Sequence, residues 1–465
     1  MEWKGESQLV LVPSPPDWQS ALRVSTVRNR FPATDFVLPT LLFAAMGGMT
    51  WAVRGCSGYG GSAGCLFAGV TWGATWWFIA REPGSRQSRR YASGWIILAM
   101  AVGIGLSGNR GWMQWPAFFD GHLQTNYAKG EFVPVPRAYG FLWLFIAGVP
   151  WAGIGACLLA WCASGRPLRL RDWIGRLACA FGGAYLGHVL FQNLPQHFLP
   201  LYHELAPKYS DLQANPNLRR LINDNGNAIR HLGFYLGCLG FEAARRDWKN
   251  VTLIATVGGV NGLGWAALQN WSWAKRFWPG ANFNFWRCWE SSAGISIGIA
   301  YGLAYFLVNG RMSDDARARP PTAPENQHAD WERFGAYLGL LLGLGLSIRN
   351  GLKGWANIYL GNENYWNSLL WKVIGPLLIA GLLLVIVRIR SCPMPRSFTG
   401  DVFPHAGRLI WTVLIIQNIL AQLVTGPLTT WNEVAFSLYY ILLFIITAVI
   451  VHHLHSVKVG RLAQT

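Results

Sequence analysis

Long apolar stretches recur about twelve times along this chain of 465 residues. A helix that crosses a bilayer needs about 20 mostly apolar residues, because the hydrocarbon layer is about 30 Å thick. The stretches near that length are 36–53, 65–80, 94–108, 139–163, 174–192, 231–243, 251–270, 288–309, 334–348, 367–388, 409–426 and 434–452. They predict an all-α integral membrane protein with about 12 transmembrane helices.

The composition supports a membrane protein and excludes several other classes. Hydrophobic residues make up 52% of the chain and charged residues 13%, whereas soluble domains carry about 25% charge. A disordered chain, a coiled coil and a small disulfide scaffold are excluded on the same grounds. The eight cysteines include no CxxC pair. Their spacing does not suit a metal site, so we predict no metal and no cofactor.

The basic residues predict the orientation in the membrane. With the N-terminus inside, about 24 of the 39 Lys and Arg residues fall in inside segments and about 13 fall outside. This is the bias expected of cytoplasmic loops, and it places both termini in the cytoplasm of a bacterial inner membrane. It also accounts for most of the net charge of +17 without a nucleic-acid partner. We predict membrane lipid and a small-molecule solute as partners, and no particular protein partner.

Short matching motifs occur in the same order in the two halves of the chain. Residues 103–107 read Gly-Ile-Gly-Leu-Ser, and residues 343–347 read Gly-Leu-Gly-Leu-Ser. The polar pairs that follow are Asn109-Arg110 in the first half and Arg349-Asn350 in the second. Other matches pair Gly47-Gly48 with Gly258-Gly259, Ser62-Ala63-Gly64 with Ser292-Ala293-Gly294, and Leu142-Trp143 with Leu370-Trp371. The common order predicts an internal duplication.

The duplication predicts a division of the chain. An even number of helices per unit gives both halves the same orientation, which is a parallel repeat. The predicted units are a cytoplasmic leader at 1–35, six-helix repeats at 36–243 and 244–452, and a cytoplasmic tail at 453–465.

Twelve spans in two parallel halves, with both termini inside, resemble the major facilitator superfamily in architecture. That family carries Gly-x-x-x-Asp-Arg-x-Gly-Arg-Arg in the inside loops after spans two and eight. The first of these loops keeps only the basic character here. The second offers Gly310, Asp314 and Arg319 at fitting offsets, with Asp315 and Arg317 in place of Arg and Gly. The resemblance therefore covers architecture alone, and membership is not inferred.

Arginine, asparagine and tryptophan cluster where several helices reach the predicted outer side. Guanidinium groups bind carboxylate or phosphate, amides bond hydroxyl groups, and indole faces cover sugar rings or attract cations. The predicted substrate-binding residues are Arg54, Asn109, Arg110, Trp112, Asn270, Arg349, Asn350 and Trp355. The structural alternative is an interfacial belt, in which Trp, Arg and Lys anchor the protein at the membrane surface.

Few ionisable residues lie inside the apolar stretches. Glu290 lies near the start of the eighth stretch, three residues after Arg287. A carboxylate inside a membrane is a functional candidate by default, so Glu290 is the predicted proton- or ion-coupling group. The structural alternative pairs Glu290 with Arg287, since residues three apart share a helix face.

These observations predict an inner-membrane solute transporter for a small anionic or hydroxylated substrate, of the sugar or organic acid class, rather than an enzyme. The alternative is an integral-membrane transferase acting on a lipid-linked or cell-envelope substrate at the outer face. Its acid or base would come from Asp120, His122, Glu131 or Glu204. A non-catalytic assembly or sensor protein is the third possibility.

Overall fold

The chain is mostly helical in the computed structural model. The structure describes residues 35–56, 61–80, 91–108, 114–163, 169–268, 271, 274, 277–309, 329–391 and 428–462. Residues 1–34 of the predicted leader and the stretch at 409–426 lie outside these residues, and so do Asn109, Arg110, Trp112 and Asn270.

Thirteen helices are numbered here in chain order within the described residues. In the first half they are α1 Val37–Cys56, α2 Gly61–Ala80, α3 Ile96–Ser107, α4 Gln114–Phe119, α5 Ala138–Ala163, α6 Leu170–Asn193, α7 Ala206–Ser210 and α8 Pro216–Ala244. In the second half they are α9 Trp248–Ala267, α10 Phe285–Asn309, α11 Ala329–Tyr359, α12 Glu363–Ser391 and α13 Trp431–Leu462.

Eleven of the twelve predicted stretches fall on these helices. The two largest extensions beyond the apolar stretches are in α8, which begins 15 residues earlier, and in α11, which runs to Tyr359. Both extensions carry polar residues, so hydropathy does not indicate that they belong to the helices. Tertiary contacts stabilise the helical conformation there.

Five described helical segments are long and apolar enough to cross a membrane: Ala138–Ala163, Leu170–Asn193, Phe285–Asn309, Asn364–Arg388 and Trp431–Leu454. Three shorter apolar helices, Val37–Trp51, Gly64–Ala80 and Ile96–Ser107, accompany them. The chain thus has the helices of an integral membrane protein. The count of 12 spans and the two parallel repeats stay predictions.

The helices approach closely where glycines face one another. A Cβ on Gly47 in α1 would lie 2.0 Å from the carbonyl oxygen of Gly294 in α10. Farther along the same contact, Gly302 lies against Thr40, so the two helices run antiparallel. In lipid there is little hydrophobic force between helices, and close backbone packing supplies much of the association instead. This contact joins helices from the two predicted halves, whose boundary at 243 stays a prediction.

Tryptophans fill the centre of the bundle. The rings of Trp51 and Trp151 lie 5.6 Å apart, and those of Trp151 and Trp265 lie 4.2 Å apart. Trp72 packs beside Trp51 with ring centroids 6.0 Å apart. All four side chains are buried. Part of the high tryptophan content therefore serves packing inside the protein, in addition to any belt at the membrane surface.

A small β-hairpin follows α4, between the apolar stretches at 94–108 and 139–163. Strands β1 His122–Asn126 and β2 Glu131–Pro134 pair antiparallel. The Asn126 side chain donates to the carbonyl oxygen of Ala214 at 3.0 Å, which ties the hairpin to the segment before α8. In that segment Tyr209 donates to the carbonyl oxygen of Pro200 at 2.9 Å, and burial raises the pKa of Tyr209. The hairpin and the segment before α8 are thus folded and packed together.

Candidate functional site

The helix ends that carry the predicted substrate-binding residues lie at one end of the bundle. Because α1 and α10 run antiparallel, the last turn of α1 lies beside the first turns of α10. On α11, Gly335 lies against Trp95 and Gly339 against Leu98, so α11 runs parallel to α3. The end of α3 at Ser107 therefore lies at about the level of Arg349, and α11 continues beyond it to Tyr359. We call this the outer end, after the predicted topology, and the opposite one the inner end.

The last turn of α9 also lies at the outer end. Ser296 of α10 donates to the side chain of Asn261 at 3.3 Å, and Trp271 donates to Ser292 at 2.8 Å. Asn270 follows this turn of α9, and Asn109 and Arg110 follow the end of α3, but all three lie outside the described residues. Arg54 belongs to the last turn of α1. Their convergence on one site stays a prediction.

Arg349 turns toward α12 and is buried, with 8% of its surface exposed. Its Nη2 donates to the side-chain oxygen of Asn367, and the Asn367 carbonyl oxygen lies 3.4 Å away. The guanidinium carbon lies 4.5 Å from the ring centroid of Trp371. Asn350 is partly buried beside Arg349, and Trp355 is partly buried with its ring 5.7 Å from that of Tyr359.

Glu290 lies in the second turn of α10 and is buried, with 2% of its surface exposed. Its neighbour Trp289 packs 6.1 Å from Trp265, within the tryptophan core. One residue farther, Ser291 donates to the carbonyl oxygen of Gly48 on α1 at 3.0 Å. The carboxyl group therefore lies inside the bundle, close to the contact between α1 and α10.

Arg287 has a partner that sequence spacing did not indicate. Its two terminal nitrogens bind the carboxylate oxygens of Glu433 on α13 at 3.1 and 3.3 Å. The guanidinium also lies 4.8 Å from the ring centroid of Phe436. Such a bidentate pair fixes α13 to α10 at the outer end. Spacing along one helix does not report neighbouring helices, so it could not indicate Glu433.

A buried polar network at the inner end was missed by sequence reasoning. Arg176 on α6 donates to Glu242 on α8 at 2.7 Å, and both side chains are 1% exposed. The other oxygen of Glu242 accepts from Asn250 on α9 at 2.8 Å. Tyr91, ahead of α3, donates to the side-chain oxygen of Asn250. These bonds satisfy the carboxylate of Glu242, as a buried charge requires.

The inner network corrects two sequence-based interpretations. In the sequence Glu242 lies close to Arg245 and Arg246, which favours a simple boundary ion pair, yet Arg245 pairs with Asp172 at 2.9 Å. An arginine near a membrane boundary commonly extends its charge toward the membrane surface. Arg176 instead lies beside the rings of Trp161 and Trp173, 5.8 and 5.4 Å from their centroids. The presence of Arg176 inside an apolar stretch was a sequence signal for a buried ion pair. It could not identify the partner, because Glu242 is 66 residues away in the chain.

Another buried polar contact holds α4 against α8 at the outer end. Trp115 donates from its indole nitrogen to the side-chain oxygen of Asn225 at 2.8 Å. The amide nitrogen of Asn225 then donates to the carbonyl oxygen of Phe198 at 2.8 Å. Trp115 lies three residues after the predicted site residue Trp112, but its indole N–H is engaged within the fold. This contact therefore stabilises the outer segment.

The acid or base candidates of the transferase alternative lie on the surface. Asp120, His122 and Glu204 are exposed. Glu131 is partly buried and lies 3.9 Å from Lys208. Exposed groups of this kind are solvated, and the structure describes no nucleophile or base positioned around them. The alternative therefore gains no support from their placement.

Comparisons with protein-family models, with curated proteins and with solved structures give no match to this chain. The roles of the site residues therefore depend on geometry and chemistry. Among the described residues, no three His, Cys, Asp or Glu side chains form a group that could hold a metal ion. The prediction that no cofactor is needed stays a prediction.

Proposed function

We propose that this protein is a transporter of the bacterial inner membrane for a small anionic or hydroxylated solute. The observation that carries the proposal is Glu290, a carboxylate that is 2% exposed near the contact between α1 and α10. Ionisable groups buried in membrane helices are costly and are found mainly on ion or substrate pathways or in structural pairs. The proposal assigns Glu290 to the first of these roles.

The substrate site in this proposal lies at the outer end. Its members are Arg54, Asn109, Arg110, Trp112, Asn270, Arg349, Asn350 and Trp355. Arginines would bind the carboxylate or phosphate of an anion, and asparagines would bond its hydroxyl groups. The parallel course of α3 and α11 supports the proposal, because it brings the end of α3, which Asn109-Arg110 follow in the sequence, to about the level of Arg349.

Glu290 would couple solute movement to a proton gradient. Protonation removes one negative charge from the site, so the protonated and ionised states favour different arrangements of the surrounding helices. Each proton that moves inward through a potential of about 100 mV contributes about 2.3 kcal/mol. The close contact between α1 and α10 would transmit the change, since Ser291 of α10 bonds the α1 backbone.

The proposal predicts that Glu290→Gln abolishes accumulation of solute against its gradient but leaves facilitated, downhill uptake in place. The amide keeps the size of the carboxyl group and cannot carry a proton at neutral pH. The measurement is uptake of radiolabelled sugars and organic acids into proteoliposomes, with and without an imposed pH gradient. Glu204→Gln is the matched control, because Glu204 is exposed on the outer segment.

Two results would contradict the proposal. The first is a native protein that gives no saturable uptake of any solute in the panel. The second is a Glu290→Gln variant that accumulates solute as well as the Glu204→Gln control does. Formation of a modified lipid or glycan by protein that moves no solute would favour the transferase alternative instead.

A further inference from the structure

We infer that Arg349 binds a phosphate-bearing anion at the contact between α11 and α12, supplied by a phospholipid headgroup or by a soluble phosphate compound. The inference concerns the ligand of this one arginine. It rests on the proposed function only if the anion is soluble, because Arg349 would then be holding the transported solute. A lipid ligand would stand whether or not the chain moves a solute.

Among the described side chains, the contacts of Arg349 include no counterion. The side chain is 8% exposed, and its partners are the side-chain oxygen and the carbonyl oxygen of Asn367 and the ring of Trp371. Asn367 is neutral, and no carboxylate pairs with Arg349 among the described side chains. The Nε atom is buried and makes no hydrogen bond there. The inner network differs in this respect, because Arg176 has Glu242.

The orientation of the guanidinium favours an anion with several oxygen atoms. The ring of Trp371 lies against the guanidinium, 4.5 Å from its central carbon. The N–H donors of a guanidinium point outward in its own plane, so the ring does not occupy them. Phosphate and carboxylate oxygens match that planar arrangement and can accept two parallel hydrogen bonds. A buried cation in a membrane protein also needs a compensating charge, which Asn367 does not supply.

The position of Arg349 favours phosphate over carboxylate. Arg349 directly follows the predicted span at 334–348, at the level where headgroups begin. The helix α12 packs chiefly against α11, and its apolar window is not buried within the protein. Trp371 is 45% exposed on the side of α12 that is not covered by protein. Lys372, which follows Trp371 in the sequence and is exposed, adds positive charge, which suits a phosphate.

The test measures binding to the full-length protein after lipid has been removed in detergent. Phosphatidylglycerol in mixed micelles, inorganic phosphate and diacylglycerol are each titrated, with bound molecules counted by native mass spectrometry. We expect saturable binding of a phosphate ligand that falls roughly tenfold or more in Arg349→Gln, the loss typical of a charge-assisted hydrogen bond. Arg390→Gln, at the exposed far end of α12, is the matched control and should bind normally.

The outcomes separate the two sources of phosphate. Binding of phosphatidylglycerol without inorganic phosphate identifies a lipid headgroup, and Arg349-dependent binding of inorganic phosphate identifies a soluble anion. Undiminished binding in Arg349→Gln, or equal binding of diacylglycerol, would overturn the inference. If the glutamine variant does not fold, Arg349→Lys keeps the charge but loses the planar donors. Equal phosphate binding by that variant and the native protein would overturn the inference as well.

Discussion

Replacement of Arg176 by alanine is expected to lower the free energy of unfolding by about 3–5 kcal/mol, because it leaves a buried carboxylate without its cation. Glu242 is 1% exposed and accepts from Arg176 at 2.7 Å. Asn250 would remain as a neutral donor to Glu242, and it cannot offset the charge. The measurement is unfolding of the purified protein in detergent, followed by tryptophan fluorescence and by the amount of monodisperse protein.

Two further variants make the Arg176 prediction specific. Arg171→Ala removes an arginine whose side chain is 75% exposed on the same helix, so its effect should lie within about 0.5 kcal/mol. The double variant Arg176→Met and Glu242→Leu removes both charges and should recover much of the lost stability. An Arg176→Ala protein that unfolds like the Arg171→Ala protein would show that the pair is not buried as described.

Replacement of Gly294 by valine is expected to prevent α1 and α10 from packing, so that little monodisperse protein is recovered. A Cβ at Gly294 would lie 2.0 Å from the carbonyl oxygen of Gly47 and 2.5 Å from the Cβ of Trp51. Extra atoms in a packed core usually cost about 1–3 kcal/mol, and the cost rises when backbone must move. Size-exclusion chromatography of the expressed membrane protein gives the readout.

Gly259→Val is the matched control for this prediction. Gly259 lies within α9, and a Cβ there would meet no atom within 4 Å. Both substitutions place the same β-branched residue inside a helix, so they differ chiefly in the space available. Equal recovery of the two variants would contradict the contact between α1 and α10. Recovery of Gly259→Val alone would support it.

The sequence predicts helix positions well in this chain because an apolar helix in lipid satisfies its own backbone hydrogen bonds. The fifth stretch, for example, was predicted at 174–192 and is α6 Leu170–Asn193. Helices with polar extensions are predicted less well. The helix α8 begins at Pro216, ahead of its apolar stretch, and is held there by contacts such as that between Asn225 and Trp115.

The candidate site was predicted only in outline. Residue types and helix ends indicated an outer cluster, which stays a prediction, and Arg349 is buried within the fold. Its partners Asn367 and Trp371 lie on the next helix, and nothing in local spacing identifies them. The same holds for Arg287, whose partner Glu433 is 146 residues away. Ion pairs between helices depend on which helices are neighbours and on how each is rotated.

The sequence by itself determined that the chain is a helical membrane protein and where most of its helices lie. Hydropathy and length are properties of each segment alone, so they can be read without knowing any neighbour. Tertiary structure decided that α1 packs against α10, that tryptophans such as Trp151 fill the centre, and that Arg176 pairs with Glu242. These contacts join segments far apart in the chain, and close packing between helix faces fixes them.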